Sequence, residues 1–175
     1  MKKKINSTLL VFIFLLIFIQ KSVAEDLNIV FVDMDRIIAT SNAGKKAQSS
    51  IDKFAKKENQ KFDSIESDLK KKEQEILKQK NIISKEELDK KVKSFRTELS
   101  KLRKEKIEFN RSIIKINQEA TNKMVNEINK ILTQYASDNS VSLIIQKKNI
   151  IIGKTELDIT PQILKEFNSK VKSID

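Results

Sequence analysis

The chain has 175 residues and a formal net charge of +11, because 35 lysines and arginines outnumber 24 acidic residues. It contains no cysteine and no histidine, and only two glycines and one proline. Disulfide bonds, thiol or imidazole catalysis and ordinary zinc sites are therefore excluded, and two isolated glycines cannot form a phosphate-binding loop. This composition argues against an enzyme and predicts neither a cofactor nor a metal site.

The N-terminus has the three parts of a secretory signal peptide. Lysines at positions 2–4 precede an apolar run over residues 9–19, which is shorter than the roughly 20 residues that a helix needs to cross a bilayer. Two small residues, Ser22 and Ala24, follow this run. The pattern predicts a signal peptide over residues 1–24 that is cleaved after Ala24. An uncleaved membrane anchor is the alternative.

Residues 25–175 are about one domain in length and begin with a strand signal. The run "NIVFV", residues 28–32, is apolar and β-branched and predicts a strand. The following "DMDRIIATSNAG" predicts a turn, with one turn of helix near residues 34–39. Residues 25–42 are therefore interpreted as the first part of the body of the protein.

A long helical hairpin is predicted over residues 43–137. This segment contains no proline and its only glycine is Gly44, at the start, while lysine, glutamate, leucine and isoleucine dominate. Such residues favour helix. Ser84 followed by Glu87 is a capping box, which begins the second helix and places the tip of the hairpin near residues 81–84.

Apolar residues recur along both halves of this segment at the three- and four-residue gaps of a coiled coil. The predicted seams comprise Ile51, Ala55, Phe62, Ile65, Leu69 and Ile76 in the first arm and Leu88, Val92, Phe95, Leu99, Leu102, Phe109, Ile113, Ile116 and Ala120 in the second. Lys72 and Lys106 interrupt these rows, and the gaps lengthen after Ala120 in a stutter. The aromatic seam residues are predicted to hold the two helices together.

Residues 138–175 return to strand signals. "VSLIIQK" and "NIIIG" are β-branched runs separated by two lysines, which predicts a strand hairpin. "DITPQILKEF" predicts a terminal helix with Thr160 as the N-cap and Pro161 at its first position. Two or three short strands do not make a stable sheet in water, so we expect several copies to pool their strands in a closed cyclic assembly. The residues expected in this shared body are Ile29, Val30, Phe31, Leu143, Ile145 and Ile151.

Both ends of the chain resemble the Skp family, also called OmpH, and the resemblance extends over essentially all of residues 25–175. Its most specific segments are Val32-Asp33-x-x-Arg36, then Ser41-x-x-Gly44-Lys45-Lys46-Ala47, and Leu157-Asp158-Ile159-Thr160 with Leu164. The resemblance implies an α+β fold. In that fold a long antiparallel helical hairpin, a coiled-coil arm, is inserted between short strands that form a small β-barrel body shared among three subunits.

The resemblance also implies a function. Members of this kind are periplasmic holdase chaperones that act without ATP, and the arms of the homotrimer enclose a cavity for unfolded outer-membrane proteins in transit. The alternative is a structural or lipid-associated coiled-coil protein of the cell envelope. The strands at the two ends favour the chaperone, because a plain tether does not need a sheet.

Basic charge is concentrated in the middle of the chain. Residues 70–106 hold fourteen basic residues against seven acids, a balance of +7. This charge could attract acidic clients, an anionic membrane or lipopolysaccharide; a solvated helix face is the alternative. Nucleic acid is not expected as a partner, since acids are interleaved and no aromatic stacking platform accompanies the charge. The candidate client contacts are Lys70, Lys71 and Lys72 and the off-seam apolar residues Phe54, Leu77, Ile107 and Ile114.

Five residues of the end motifs are assigned structural roles and not catalytic ones. Asp33 and Arg36 form a polar pair after the first strand, where Asp33 can accept local backbone hydrogen bonds. Gly44 is expected to permit a tight entrance to the long helix. Asp158 and Thr160 are expected to form a turn and a helix cap.

Overall fold

A computed structural model describes residues 27–174 of the chain. The elements in chain order are β1 (Ile29–Val32), α1 (Met34–Thr40), α2 (Asn42–Gln79), α3 (Lys85–Asp138), β2 (Leu143–Gln146) and α4 (Thr160–Lys170), with short 3₁₀ turns at Lys147–Asn149 and Thr155–Leu157. The predicted signal peptide, residues 1–24, lies outside the described residues. Over residues 27–174, none of the helices combines the length and the apolar character needed to cross a membrane.

The predicted long helices are confirmed, and α2 and α3 pack as an antiparallel hairpin that we call the arm. With 38 and 54 residues, they are about 57 and 81 Å long at a rise of about 1.5 Å per residue. Ser84 is the N-cap of α3, and its hydroxyl oxygen accepts a hydrogen bond from the N–H of Glu87 at 3.3 Å. The chain therefore reverses over residues 80–84, at the predicted tip.

The two strands pair in parallel, with Ile29 opposite Leu143 and Val32 opposite Gln146. One face of this small sheet packs on the helices. Val30 and Val32 belong to a buried apolar core that includes Ile37 of α1, Ala43 of α2, Met124, Ile128 and Ile131 of α3, and Ile163 and Phe167 of α4. The base of the arm and both ends of the chain therefore share one core, which we call the body.

The predicted strand hairpin in the last part of the chain is wrong for the described residues. β2 ends at Gln146, and the chain continues into a 3₁₀ turn, Lys147–Asn149. Residues 150–152 then form no strand, and Ile151 and Ile152 are 99% and 91% exposed. Two lysines do not supply the positive φ that a two-residue hairpin turn needs, and β2 finds its partner in β1 instead.

The other edge of β1 is occupied by the segment before α4. Phe31 forms an isolated parallel bridge with Asp158, and its carbonyl oxygen accepts the N–H of Ile159 at 3.0 Å. β1 therefore lies between β2 and the start of α4, and both of its edges have partners within the chain.

A cluster of polar side chains joins these three segments, and we call it the polar cluster. The hydroxyl oxygen of Thr160 accepts the N–H of Asp33 at 2.8 Å, and the carboxylate of Asp158 accepts the N–H of Thr160 at 2.9 Å. The ammonium of Lys147 lies 3.4 Å from Asp158 and 3.8 Å from Asp33. The predicted N-cap role of Thr160 is wrong, because Ile159 is the N-cap position and Thr160 bonds across to the end of β1.

The junction between α1 and α2 is tight. Asp33 caps α1 by accepting the N–H of Arg36 at 2.9 Å, while the side chain of Arg36 is exposed. Ser41 caps α2 by accepting the N–H of Gly44 at 3.1 Å. A Cβ atom at Gly44 would lie 1.8 Å from the carbonyl oxygen of Ile38, so only glycine allows α2 to begin this close to the end of α1.

We expect the polar cluster to make the body sensitive to acid. Burial alone would raise the pKa of Asp158, but hydrogen bonds from Thr160 and from Lys147 together hold that pKa below its ordinary value. A carboxyl with a lowered pKa stabilises the fold above about pH 4, and the stabilisation is lost as the pH falls through the folded-state pKa. Asp158→Asn should therefore lower the free energy of unfolding at pH 7 by about 1–2 kcal/mol, and the deficit should shrink below about pH 4.

Thermal unfolding followed by circular dichroism between pH 7 and pH 3 measures this difference. Asp63→Asn, at an exposed position on α2, is the matched control and should behave as the wild type. A deficit for Asp158→Asn that is the same at every pH would show that the charge of Asp158 does not contribute.

Candidate functional site

The middle of the arm is held by an apolar cluster across the two helices. Phe62, Leu69 and Leu102 are buried there, and they are surrounded by the half-buried Phe95, Leu99 and Phe109. The rings of Phe62 and Phe109 meet edge to face, with centroids 5.5 Å apart. The prediction that these seam aromatics join the helices is therefore confirmed.

Ion pairs between the helices flank this cluster on both sides. Lys106 donates to Glu66 at 2.7 Å and lies 5.7 Å from the centroid of the Phe62 ring. Lys72 pairs with Glu98, and hydrogen bonds from Lys72 and then from Ser94 hold the pKa of Glu98 below its ordinary value. The two lysines that interrupt the apolar rows thus have acidic partners on the opposite helix. Lys72 accordingly differs from Lys70 and Lys71, which are exposed; Lys71 pairs with Asp68 of its own helix at 3.1 Å.

The four off-seam apolar residues of the arm are exposed to solvent, with exposed fractions of 42% at Phe54, 64% at Leu77, 52% at Ile107 and 58% at Ile114. Ile107 and Ile114 are seven residues apart and share one face of α3. The ring of Phe54 lies 5.8 Å from that of Phe109, so it extends the mid-arm cluster outward. Ile107 and Ile114 thus share a face of α3, Phe54 lies beside the mid-arm cluster and Leu77 lies near the tip, so the four residues are distributed along the arm.

Sequence reasoning missed three further exposed apolar residues. Ile65 and Ile116, assigned to the seams, are 40% and 37% exposed, and Ile82 at the tip is 79% exposed. Ile65 lies beside Leu69 and Leu102 in a groove of about 440 Å³. Lys72 follows Ile65 by seven residues and interrupts the same apolar row. This interruption was the signal that could have placed Ile65 at the margin of the seam.

The sheet presents a second apolar surface, on the side away from the helices. Side chains alternate between the two faces of a strand, so Ile29, Phe31, Leu143 and Ile145 lie opposite the face that Val30 and Val32 present to the core. Phe31 is covered by the chain at Gly153, where a Cβ atom would lie 2.9 Å from the ring.

The remainder of this surface is open, and we call it the outer face. Ile29 is 37% exposed and Leu143 is 51% exposed, with the fully exposed Ile151 and Ile152 following in the chain. Of the six residues predicted for a shared body, only Val30 lies on the core side. Exposed apolar residues on one face of a sheet make that face a candidate interaction surface.

The described residues offer no arrangement for metal chemistry. Over residues 27–174, no group of three or more aspartate or glutamate side chains is placed to hold a metal ion. The carboxylates of Asp33 and Asp158 lie 3.8 Å and 3.4 Å from the ammonium of Lys147, which is a cationic partner for both. The exposed apolar residues and the basic charge of the arm are suited to binding a partner.

Comparison with known proteins agrees with this architecture. No curated protein sequence shows a significant match to the chain. A crystal structure of a Caulobacter crescentus CB15 protein, assigned as an OmpH-like outer membrane chaperone, aligns with a TM-score of 0.79 over 85% of this chain and 88% of its own, at 13% sequence identity. The likeness at this identity concerns the fold. The family model for outer membrane protein (OmpH-like) matches residues 28–167, and the chain therefore belongs to the OmpH-like family.

Proposed function

We propose that the protein is an ATP-independent holdase chaperone of the periplasm, which binds unfolded outer-membrane proteins and prevents their aggregation. Its signal peptide would direct export and then be cleaved after Ala24. We further propose that the protein acts as a homotrimer in which the strands of three chains form one β body and the arms enclose the client. The observation that carries the proposal is a packed helical arm with exposed apolar residues, joined to a sheet whose outer face is partly open.

The outer face supports assembly. Leu143 and Ile151 are at least half exposed in the single chain, and covering them would remove apolar surface from water. Copies of the chain related by a closed symmetry would cover these residues on one another. The run at residues 150–152, which has no strand partner within residues 27–174, then gains neighbours.

The arm supports weak, distributed binding of unfolded chains. Its exposed apolar residues are carried by helices that are already packed on each other, so they stay available to a partner. Exposed lysines surround them, and charge of this kind raises the rate of encounter with acidic segments.

A structural or lipid-associated coiled coil of the envelope is the second candidate. It is favoured by the tip, where Leu77 and Ile82 are exposed beside Lys78, Lys80 and Lys85 with no acid between residues 76 and 85. An apolar and basic tip fits an anionic membrane or lipopolysaccharide surface.

Suppression of aggregation separates the two candidates. When a urea-unfolded outer-membrane β-barrel protein is diluted into buffer without ATP, we expect the wild-type protein to abolish most of the light scattering. Replacing Phe54, Ile107 and Ile114 by glutamine should weaken this protection several-fold, because each substitution removes apolar contact area worth about 1–2 kcal/mol. Glutamine keeps the helix propensity of the arm.

The matched control carries glutamine at three exposed polar positions of the arm, Asn59, Asp63 and Asn110, and should protect as well as the wild type. Undiminished scattering in the presence of the wild-type protein would reject the holdase and leave the structural coiled coil.

Disrupting the outer face should dissociate the assembly without touching the arm. Ile145→Asp would place an unpaired charge in the shared body, at a cost of several kcal/mol. That penalty is comparable with the whole stability of a small domain, about 5–15 kcal/mol. We expect the wild type to sediment as a trimer and the variant to lose the trimer and its client protection together.

Ile82→Asp, at the exposed tip, introduces the same charge outside the body and should leave the trimer intact. Sedimentation over a range of concentrations tests both variants. A wild-type chain that remains a folded monomer at high concentration, or an Ile145→Asp variant that remains trimeric, would contradict the shared body.

Salt should slow client capture if the basic charge acts at a distance. Exposed charges are screened beyond about 10 Å at 0.1 M salt, so capture rates measured by stopped-flow fluorescence should fall as salt rises, while the complex already formed persists. Lys70→Gln combined with Lys71→Gln should reduce the rate at low salt and flatten its salt dependence. Lys72 is left in place because it pairs with Glu98.

The control replaces Lys56 and Lys57, two exposed lysines of α2 outside the basic region, and should keep most of the salt dependence. Capture rates that do not respond to salt or to either pair of substitutions would show that the lysines form a solvated face only.

A further inference from the structure

The chain after α4 runs along the part of the arm nearest the body, residues 42–52 of α2 and 116–124 of α3, which we call the root. The N–H of Val171 donates to the carbonyl oxygen of Phe167 at 2.8 Å, and the backbone then leaves the helix in an extended conformation. Val171 and Ile174 are half-buried and pack on the apolar core of the body. We call residues 171–174 the strap.

The strap is hydrogen-bonded to the first turns of α2. The ammonium of Lys46 donates to the carbonyl oxygen of Lys172 at 3.1 Å. One turn earlier, the N–H of Asn42 donates to the side-chain oxygen of Asn168, at the end of α4, at 2.8 Å. The beginning of α2 is therefore held by groups that follow it in sequence by about 126 residues.

The strap also reaches the space between the two helices of the arm. Ile174 lines a groove of about 360 Å³ together with Ala47 of α2 and Ala120 of α3. On its other side, a second groove of about 900 Å³ separates the strap from residues 123–133 of α3. The walls of the first groove thus come from both helices of the arm, and Ile174 is one of its large apolar residues together with Ile51 and Ile116.

Few side chains are buried in the arm between the body and the mid-arm cluster. Between Ile51 and Phe62 no side chain of α2 is buried, and between Leu102 and Met124 no side chain of α3 is buried. The second interval corresponds to about 33 Å of helix at about 1.5 Å per residue. The mid-arm cluster and the body core are therefore separate, and the interval between them has few buried contacts to oppose local opening.

We propose that residues 171–174 fasten α2 to α3 at the root of the arm and so limit how far the arm moves relative to the body. The strap couples α4, which belongs to the body, to both arm helices through Ile174 and Lys46. Where the proposed holdase function applies, loosening the strap changes the range of client sizes that the arms can enclose.

Hydrogen exchange of the full chain, measured by mass spectrometry, tests the strap. Ile174→Ser should make the amides of residues 45–52 and 116–124 exchange about tenfold faster, since it removes the apolar contact that opposes local opening. Lys46→Met keeps the stem of the side chain and removes its donor, and it should give about a two- to threefold increase at the same amides. Amides near Phe62 and Leu102, and those of α4, should not change.

Ile82→Ser makes the same chemical change at the exposed tip and should leave exchange at the root unaltered. Root amides that exchange at the wild-type rate in Ile174→Ser would overturn the proposal. Faster exchange throughout α4 and the strands would overturn it as well, because residues 171–174 would then be an ordinary part of the body core. The measurement needs no client, so its result is independent of the holdase test.

Discussion

The pairing of β1 with β2 is the contact on which the rest of the structure depends. It joins residues separated by more than 110 positions, with Ile29 opposite Leu143 and Phe31 opposite Ile145. Parallel strands require a long crossover between them, and here the crossover is α1 together with the whole arm. A shift of one residue in this register would exchange the two faces of β2. Ile144, which packs on the core, would then point away from it.

The same pairing gives the sheet one buried face and one partly exposed apolar face. One face of the sheet is covered by α1, α3 and α4, while Leu143 on the other face is half exposed. The arm differs from the sheet because its two helices already pack on each other. Phe62, Leu69 and Leu102 are buried between them, and Lys72 and Lys106 pair with acids of the opposite helix. Exposed residues such as Ile107 therefore cannot be buried by collapse of the arm on itself. The proposed binding of unfolded chains requires apolar residues that stay exposed in this way.

Periodic features of the fold could be predicted from the sequence, and contacts between distant residues could not. The long helices and the Ser84 cap follow from local spacing and propensity, which need no knowledge of the partner. The parallel partner of β2 is β1, which lies far away in the chain. Because residues 150–152 follow β2 directly, the sequence favoured a hairpin between them that does not form. Thr160 has the residue type of an N-cap, but its hydroxyl oxygen bonds to Asp33, 127 positions earlier. Lys72 and Lys106 interrupt the apolar rows when each helix is considered singly, and their role depends on acids of the other helix.

The two ends of the chain hold the arm by different kinds of interaction, and this difference determines where it can yield. The polar cluster fixes the strands and the start of α4 with directional, charge-assisted hydrogen bonds, which lose most of their strength with a small displacement. The strap includes the apolar contacts of Val171 and Ile174 and the hydrogen bond from Lys46, and apolar contact is not directional. The body is therefore the fixed reference, and the root of the arm can slide over a small range before its contacts are lost. If the strap acts as proposed, motion of the arm is concentrated at its base, while the exposed apolar residues on the two helices keep their spacing.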